Sequence, residues 1–117
     1  MELFFRSYLI LFTNFSFMEE ENLSKIFKEL HQNKLKVNLI QNSAISFSVC
    51  LEDNFSQFDA FYEALSPSFK IKYNTDISLY TIRHFDADAI KKIEDKGVLL
   101  LKQSSRETIQ LVLDEKK

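Results

Sequence analysis

An α+β fold is predicted, an antiparallel sheet with its helices packed on one face, and three observations predict it. Some segments carry apolar residues at helical spacing, i, i+3, i+4, i+7. Others alternate apolar and polar residues with a period of two. These segments follow one another as strand, helix, strand, strand, helix, strand, and the pattern then begins again.

The first strand is expected from about Tyr8 to Thr13. Leu9 and Leu11 alternate there with Ile10 and Phe12, so both faces are apolar and both should be covered. The surrounding stretch MELFFRSYLILFTNFSFM carries Arg6 near its beginning. It has no small-residue cleavage site, Glu2 is the wrong charge for a leader, and the apolar run falls far below the roughly 20 residues that span a bilayer. A core or edge strand is the expectation, with no membrane partner.

In MEEENLSKIFKELHQNK the residues Leu23, Ile26, Phe27 and Leu30 share a helical face, and Glu19, Glu20 and Glu21 complement the dipole of its first turn. Leu35, Val37 and Leu39 then alternate with Lys36 and Asn38. Ile45, Phe47, Val49 and Leu51 alternate with Ser46, Ser48 and Cys50. Between these runs lies a polar group, Asn38 with Gln41, Asn42 and Ser43, which reads as a turn of a hairpin or as a place where a ligand binds. EDNFSQFDAFYEALSPS supplies a cap at Asp53 or Asn54, an apolar face of Phe55, Phe58, Tyr62 and Leu65, and Pro67 as a stop. Phe69, Ile71 and Tyr73 alternate with Lys70 and Lys72 before Asn74 to Asp76 break the strand.

The order β-α-β-β-α-β is the ferredoxin-like split βαβ arrangement. After it come a strand in ISLYTIRHF, a short helix in DADAIKKIEDKG with Asp86 as cap and Gly97 at its end, and a hairpin of VLLLKQ and ETIQLVL around Ser104 and Ser105. Two domains are therefore expected, residues 8–76 and a shortened βαββ repeat over 77–117. Such a repeat would need extra cover for a run like Val98 to Leu101.

Composition removes several kinds of chemistry. With a formal net charge of -2 and its basic residues spread among acidic ones, the chain lacks the electrostatic footprint of a nucleic-acid binder. One glycine in 117 residues leaves no phosphate-cradling loop. His31, His84 and the single Cys50 cannot assemble a zinc site, and no metal or other cofactor is expected. Cys50 reads as a small buried hydrophobe, and the two histidines as solvated residues at the ends of a helix and a strand. One cysteine suits a reducing, cytoplasmic setting. No catalytic residue is expected, and a small ferredoxin-like enzyme would need a paired acid, base or nucleophile that the sequence does not supply.

NLSKIFKELHQNKLKVNLIQNSAISFSVCLED resembles the first ACT domain in the C-terminal regulatory region of aspartate kinases. In that family a loop and helix lead to a strand of the form V-[DN]-L-I-x-x-S, matched here by Val37, Asn38, Leu39, Ile40 and Ser43, and then to a strand rich in Ser and Val. ISLYTIR and SSRETIQLVL are similar to the opening and closing strands of the second ACT repeat, so the likeness runs from about Thr13 to Glu115. The resemblance implies the ACT fold and a regulatory region that is not an enzyme by itself. Its implied partners are an end-product amino acid, commonly lysine or threonine, the kinase domain of the parent enzyme, and a second copy in a homodimer. The implied function is control of aspartate-family amino-acid biosynthesis. The alternative is a ligand-free dimerisation module.

The family's effector lies where the loop after the first strand meets the strand of a partner unit. Here that loop offers Phe15, Ser16, Phe17 and Met18, the strand offers Val37 and Asn38, and Ser43 and Ala44 would close the pocket. Lysine-sensing members carry Asp at the position of Asn38 and often Glu at that of Ala44. A buried ammonium without a carboxylate partner costs several kcal/mol, so a neutral side chain such as threonine's suits Asn38 better.

Overall fold

β1 (Arg6–Thr13) lies inside a four-stranded antiparallel sheet whose order is β2 (Lys36–Asn42), β3 (Phe47–Asp53), β1, β4 (Lys70–Thr75). An interior strand must be apolar on both faces, and Tyr8, Leu9 and Ile10 are buried in succession. The computed structural model describes residues 6–13, 20–43 and 46–115. The chain divides into two units, Met1–Thr75 and Asp76–Lys117.

In the first unit α1 (Glu20–Gln32) and α2 (Phe58–Leu65) pack on one face of the sheet. Ile26 and Leu30 of α1, and Phe58, Phe61 and Leu65 of α2, meet Tyr8, Ile10 and Phe12 of β1 and Phe47, Val49 and Leu51 of β3. The helix expected over the Glu-rich segment is present, but Phe27 is not core: it is 43% exposed, at the rim, with its ring edge-on to Phe47 at 5.8 Å. The side chains of Glu19, Glu20 and Glu21 lie outside the described residues.

α1 ends in a Schellman motif. Leu35 N–H donates to the Leu30 carbonyl and Lys34 N–H to that of His31, both at 3.1 Å, with Lys34 at φ 54°. The chain thereby turns back into β2 with Leu35 in the core.

Two expectations for β2 need correction. Asn38, Gln41 and Asn42 do not form a turn: β2 runs through all three, and only Ser43 opens the loop. Polar residues are tolerated there because β2 is an edge strand. Nor do Val37 and Leu39 share a face. Val37 pairs with Leu51 and Leu39 with Cys50, so a β-bulge at Asn38 switches the strand from one face to the other.

The second helix is also shorter than expected. Residues 54–57 form a loop, Phe55 is 60% exposed and outside the helix, and Phe61 takes the core position. Asp53, foreseen as a cap, acts from the end of β3. Its carboxylate accepts the backbone N–H groups of Gln57 at 2.9 Å and Phe58 at 2.8 Å, with Phe55 N–H at 3.4 Å, and it is buried while doing so.

The second unit consists of β5 (Ser78–Arg83), α3 (Ala87–Glu94), β6 (Val98–Ser104) and β7 (Thr108–Asp114), with sheet order β5-β7-β6. Ile90 and Ile93 of α3 pack on Ile109, Leu111 and Leu113. Asp86 caps α3 as expected, accepting Ala89 N–H at 2.8 Å. β6 carries a bulge between Leu99 and Leu101, so the bulge of β2 has a counterpart in the repeat, with Leu100 where the first unit has Asn38. Val98 is 64% exposed. After β7, Glu115 accepts hydrogen bonds from Ser78 at 2.6 Å and Tyr80 at 2.8 Å, which hold its carboxyl below the usual range.

Gly97 does not serve as a left-handed cap, since its φ is not positive. Its role is close approach: a Cβ there would meet the backbone of Asp114 and lie 2.9 Å from Glu115 Cα. Gly97→Ala is expected to cost about 2 kcal/mol, because the opposing atoms are backbone and cannot swing aside. Urea denaturation measures this, and a neutral substitution would show that the two segments separate easily.

Candidate effector site

The bulge positions the polar residues of β2. Without it, Asn38 would face Leu51. With it, Lys36 pairs with Glu52, and the Asn38 amide donates from Nδ2 to Glu52 Oε1 at 3.2 Å. Glu52 alternates with the helix-facing Leu51 along β3, so the pair lies on the sheet face away from α1 and α2. Val37, in contrast, packs half-buried against the core and offers a ligand only its backbone. Glu52 is the residue that reading the sequence missed. Hairpin register alone would not have found it, because the bulge displaces the pairing by one.

Ser43 stands at the other end of β2. Its N–H donates to the Ser46 carbonyl at 2.9 Å, and the two hydroxyls are 2.7 Å apart. At ~3.3 Å per residue, Asn38 and Ser43 are about 16 Å apart along the strand, farther than a free amino acid reaches. One chain therefore brings Val37 and Asn38 together with Glu52, and sets Ser43 at the far end of the edge. Phe15, Ser16, Phe17, Met18 and Ala44 lie outside the described residues.

Groups with other chemical potential sit elsewhere. Cys50 is buried on β3, and desolvation with the nearby Glu52 charge pushes its thiol up to about 11, so little thiolate exists at neutral pH. His31 is in the last turn of α1, and His84 follows β5 with its N–H on the Glu107 carbonyl at 2.7 Å. Among the described residues, no group of three His, Cys, Asp or Glu could hold a metal ion, and no helix is long and apolar enough to cross a membrane.

No family model and no curated protein matches the sequence. Solved structures do match in fold. The aspartate kinase of Clostridium acetobutylicum superposes with a TM-score of 0.75 at 12% identity, over 95% of this chain and 29% of that one. Aspartokinase III of Escherichia coli, in complex with lysine and aspartate, gives 0.70 at 13% identity, over 95% and 28%. A C-terminal regulatory domain assigned to aspartate kinase, from Porphyromonas gingivalis W83, gives 0.72 at 12% identity, over 97% and 88%. This chain thus spans less than a third of the two kinases and most of the separate regulatory domain. Its fold is that of ACT regulatory regions of aspartate kinase.

Proposed function

We propose that this chain is a non-catalytic ACT regulatory region, residues 8–76 forming the first ACT domain and 77–117 a shortened second one. It binds an end-product amino acid, threonine or lysine, at the β2 edge of a homodimer, and so controls the kinase domain of an aspartate kinase in the cytoplasm. The observation that carries this reading is the polar Asn38–Glu52 pair at a bulge of an edge strand, in a fold shared with aspartate kinase regulatory domains. The lysine complex of the E. coli enzyme supports an amino acid as the effector.

Symmetry supports the dimer. If the β2 edges of two copies pair antiparallel about Ile40 and Gln41, Asn38 of one copy comes opposite Ser43 of the other. The 16 Å separation (approximately, from strand rise) is then removed, and residues 15–18 of the loop would complete the pocket. Glu52 also alters the choice of ligand. Asn38 matches the hydroxyl of threonine, while Glu52 supplies the carboxylate that a lysine ammonium requires. The effector acts by binding one conformation of the parent enzyme better than another.

Isothermal titration with threonine, lysine and methionine tests the reading. Saturable binding is expected with threonine or lysine, and Asn38→Ala should weaken it about tenfold. Glu52→Gln should weaken lysine selectively. No heat and no thermal shift with any of the three would overturn the sensing role and leave a ligand-free dimerisation module. Sedimentation as a monomer at micromolar concentration would remove the pairing of β2 edges.

A further inference from the structure

Between the end of α1 and the loop that precedes α2, the first unit carries a small pocket that neither the core nor the β2 edge uses. Its volume is about 270 Å³, and Gln32, Asn33, Lys34, Phe55 and Gln57 line it. We propose that this pocket binds an adenine nucleotide, with the base stacked on the Phe55 ring, its polar edge hydrogen-bonded by the carboxamides, and a phosphate on Lys34.

Both walls are held in place by the protein's own bonds. On one side the Schellman motif fixes Lys34, Asn33 N–H donates to the Glu29 carbonyl at 3.0 Å, and the Asn33 amide donates from Nδ2 to the same carbonyl at 2.8 Å. On the other, Asp53 gathers the loop N–H groups, Ser56 adopts a left-handed backbone at φ 56°, and Gln57 Nε2 donates to the Phe55 carbonyl at 3.2 Å. The loop is thus tied at several points, yet it keeps Phe55 60% exposed. A phenyl ring left in water forgoes the gain of burial, and a left-handed serine is strained; such features collect at ligand sites.

The chemistry of the lining selects the class. An aromatic ring offers a base a stacking face, and a carboxamide matches the adjacent donor and acceptor on the adenine edge. Gln32 is exposed and has both a donor and an acceptor to offer. Asn33 and Gln57 each direct amide N–H to a backbone carbonyl, which leaves their oxygens to accept from an exocyclic amine. Lys34 supplies the charge. Its Nζ stands 5.9 Å from the Phe55 centroid, at the outer limit of a cation–π contact, so the ammonium can turn to a phosphate at little cost. Among the described residues no carboxylate lines the pocket to repel that phosphate.

Size agrees with this assignment. The volume falls just under the usual range for ligand pockets, about 300 Å³ upward, which suits a seated base with its sugar and phosphate at the rim. The pocket is built from α1 and the loop before α2, whereas the Asn38–Glu52 pair lies on the other face of the sheet. It therefore does not depend on the effector site proposed above.

The test is an NMR titration of the whole chain, following the amides of Asn33, Lys34, Phe55 and Gln57, with adenosine monophosphate, adenosine and inorganic phosphate as separate probes. Saturable shifts are expected with adenosine monophosphate, about tenfold weaker binding with adenosine, and no saturable shift with phosphate alone. Phe55→Ala and Lys34→Gln, both at exposed positions and with folding verified by the same spectra, should each weaken the nucleotide about tenfold. Phe55→Tyr keeps the stacking face and should retain binding, and Asn38→Ala should leave it unchanged. No saturable shift with adenosine monophosphate, an equal response to phosphate, or binding undiminished in both Phe55→Ala and Lys34→Gln would overturn the site. Loss of nucleotide binding in Asn38→Ala would overturn its separation from the β2 edge.

Discussion

Phe12→Ala is expected to destabilise the first unit by about 4 kcal/mol, the cost of removing a fully buried aromatic ring and leaving a cavity. Phe12 has no exposed surface and sits on the interior strand, with ring centroids of Phe47, Phe61 and Phe69 at 6.1, 6.2 and 5.8 Å. Two of these contacts are edge-on, the arrangement in which aromatic pairs add about 0.5–1.5 kcal/mol beyond buried area. The ring joins β3, α2 and the residue that leads into β4, so one truncation loosens three neighbours. Denaturation in urea, followed by circular dichroism, measures the loss. Phe12→Leu, which refills part of the space, should cost clearly less. A loss below about 1 kcal/mol for alanine would mean that the core collapses around the gap, and that Phe12 is not its centre.

Asp53→Ala should cost about 3 kcal/mol, although it removes only a small side chain. The Asp53 carboxylate is buried and receives the Gln57 and Phe58 N–H groups at the start of α2, together with Phe55 N–H at longer range. Loss of a cap costs up to about 2 kcal/mol, and leaving a buried donor without an acceptor adds about 1–3 kcal/mol. Asp53→Asn retains one acceptor oxygen and should fall between alanine and the native residue. Hydrogen exchange supplies the local readout: the amides of Gln57 and Phe58 should lose protection in Asp53→Ala before those of β3 do. Equal stability of the alanine variant would show that water replaces the carboxylate at these amides.

The same aspartate shows what could be read along the chain. Its identity as a cap was legible, since Asp before an amphipathic run is a local signal. The distance over which it acts was not. Asp53 reaches past a loop at 54–57, and that loop places Phe55 in solvent and Phe61 in the core, whereas helical spacing drawn straight from Asp53 selects Phe55. Gly97 teaches a similar lesson. A glycine after a helix suggests a left-handed cap, but the constraint comes from the backbone of Asp114, seventeen residues on, which only the folded β6–β7 pair brings near.

Element type and order follow from periodicity, because a strand or helix must bury one stripe of side chains whatever it packs against. For this reason the α+β arrangement, the helices on one face and the doubly apolar β1 were all legible. Asn38 was legible as an unusual polar residue between apolar ones, and the resemblance of its strand to aspartate kinase regulatory regions made it a candidate site. Its partner was not, since the choice between Leu51 and Glu52 depends on a bulge, and a bulge is a property of two paired strands rather than of either sequence. The juxtaposition of Arg6 and Asp53 was wholly illegible, because residues more than forty positions apart become neighbours there only after β1 and β3 have paired. Local patterns are set by what each segment must hide from water; the sites are set by which distant segments the sheet makes neighbours.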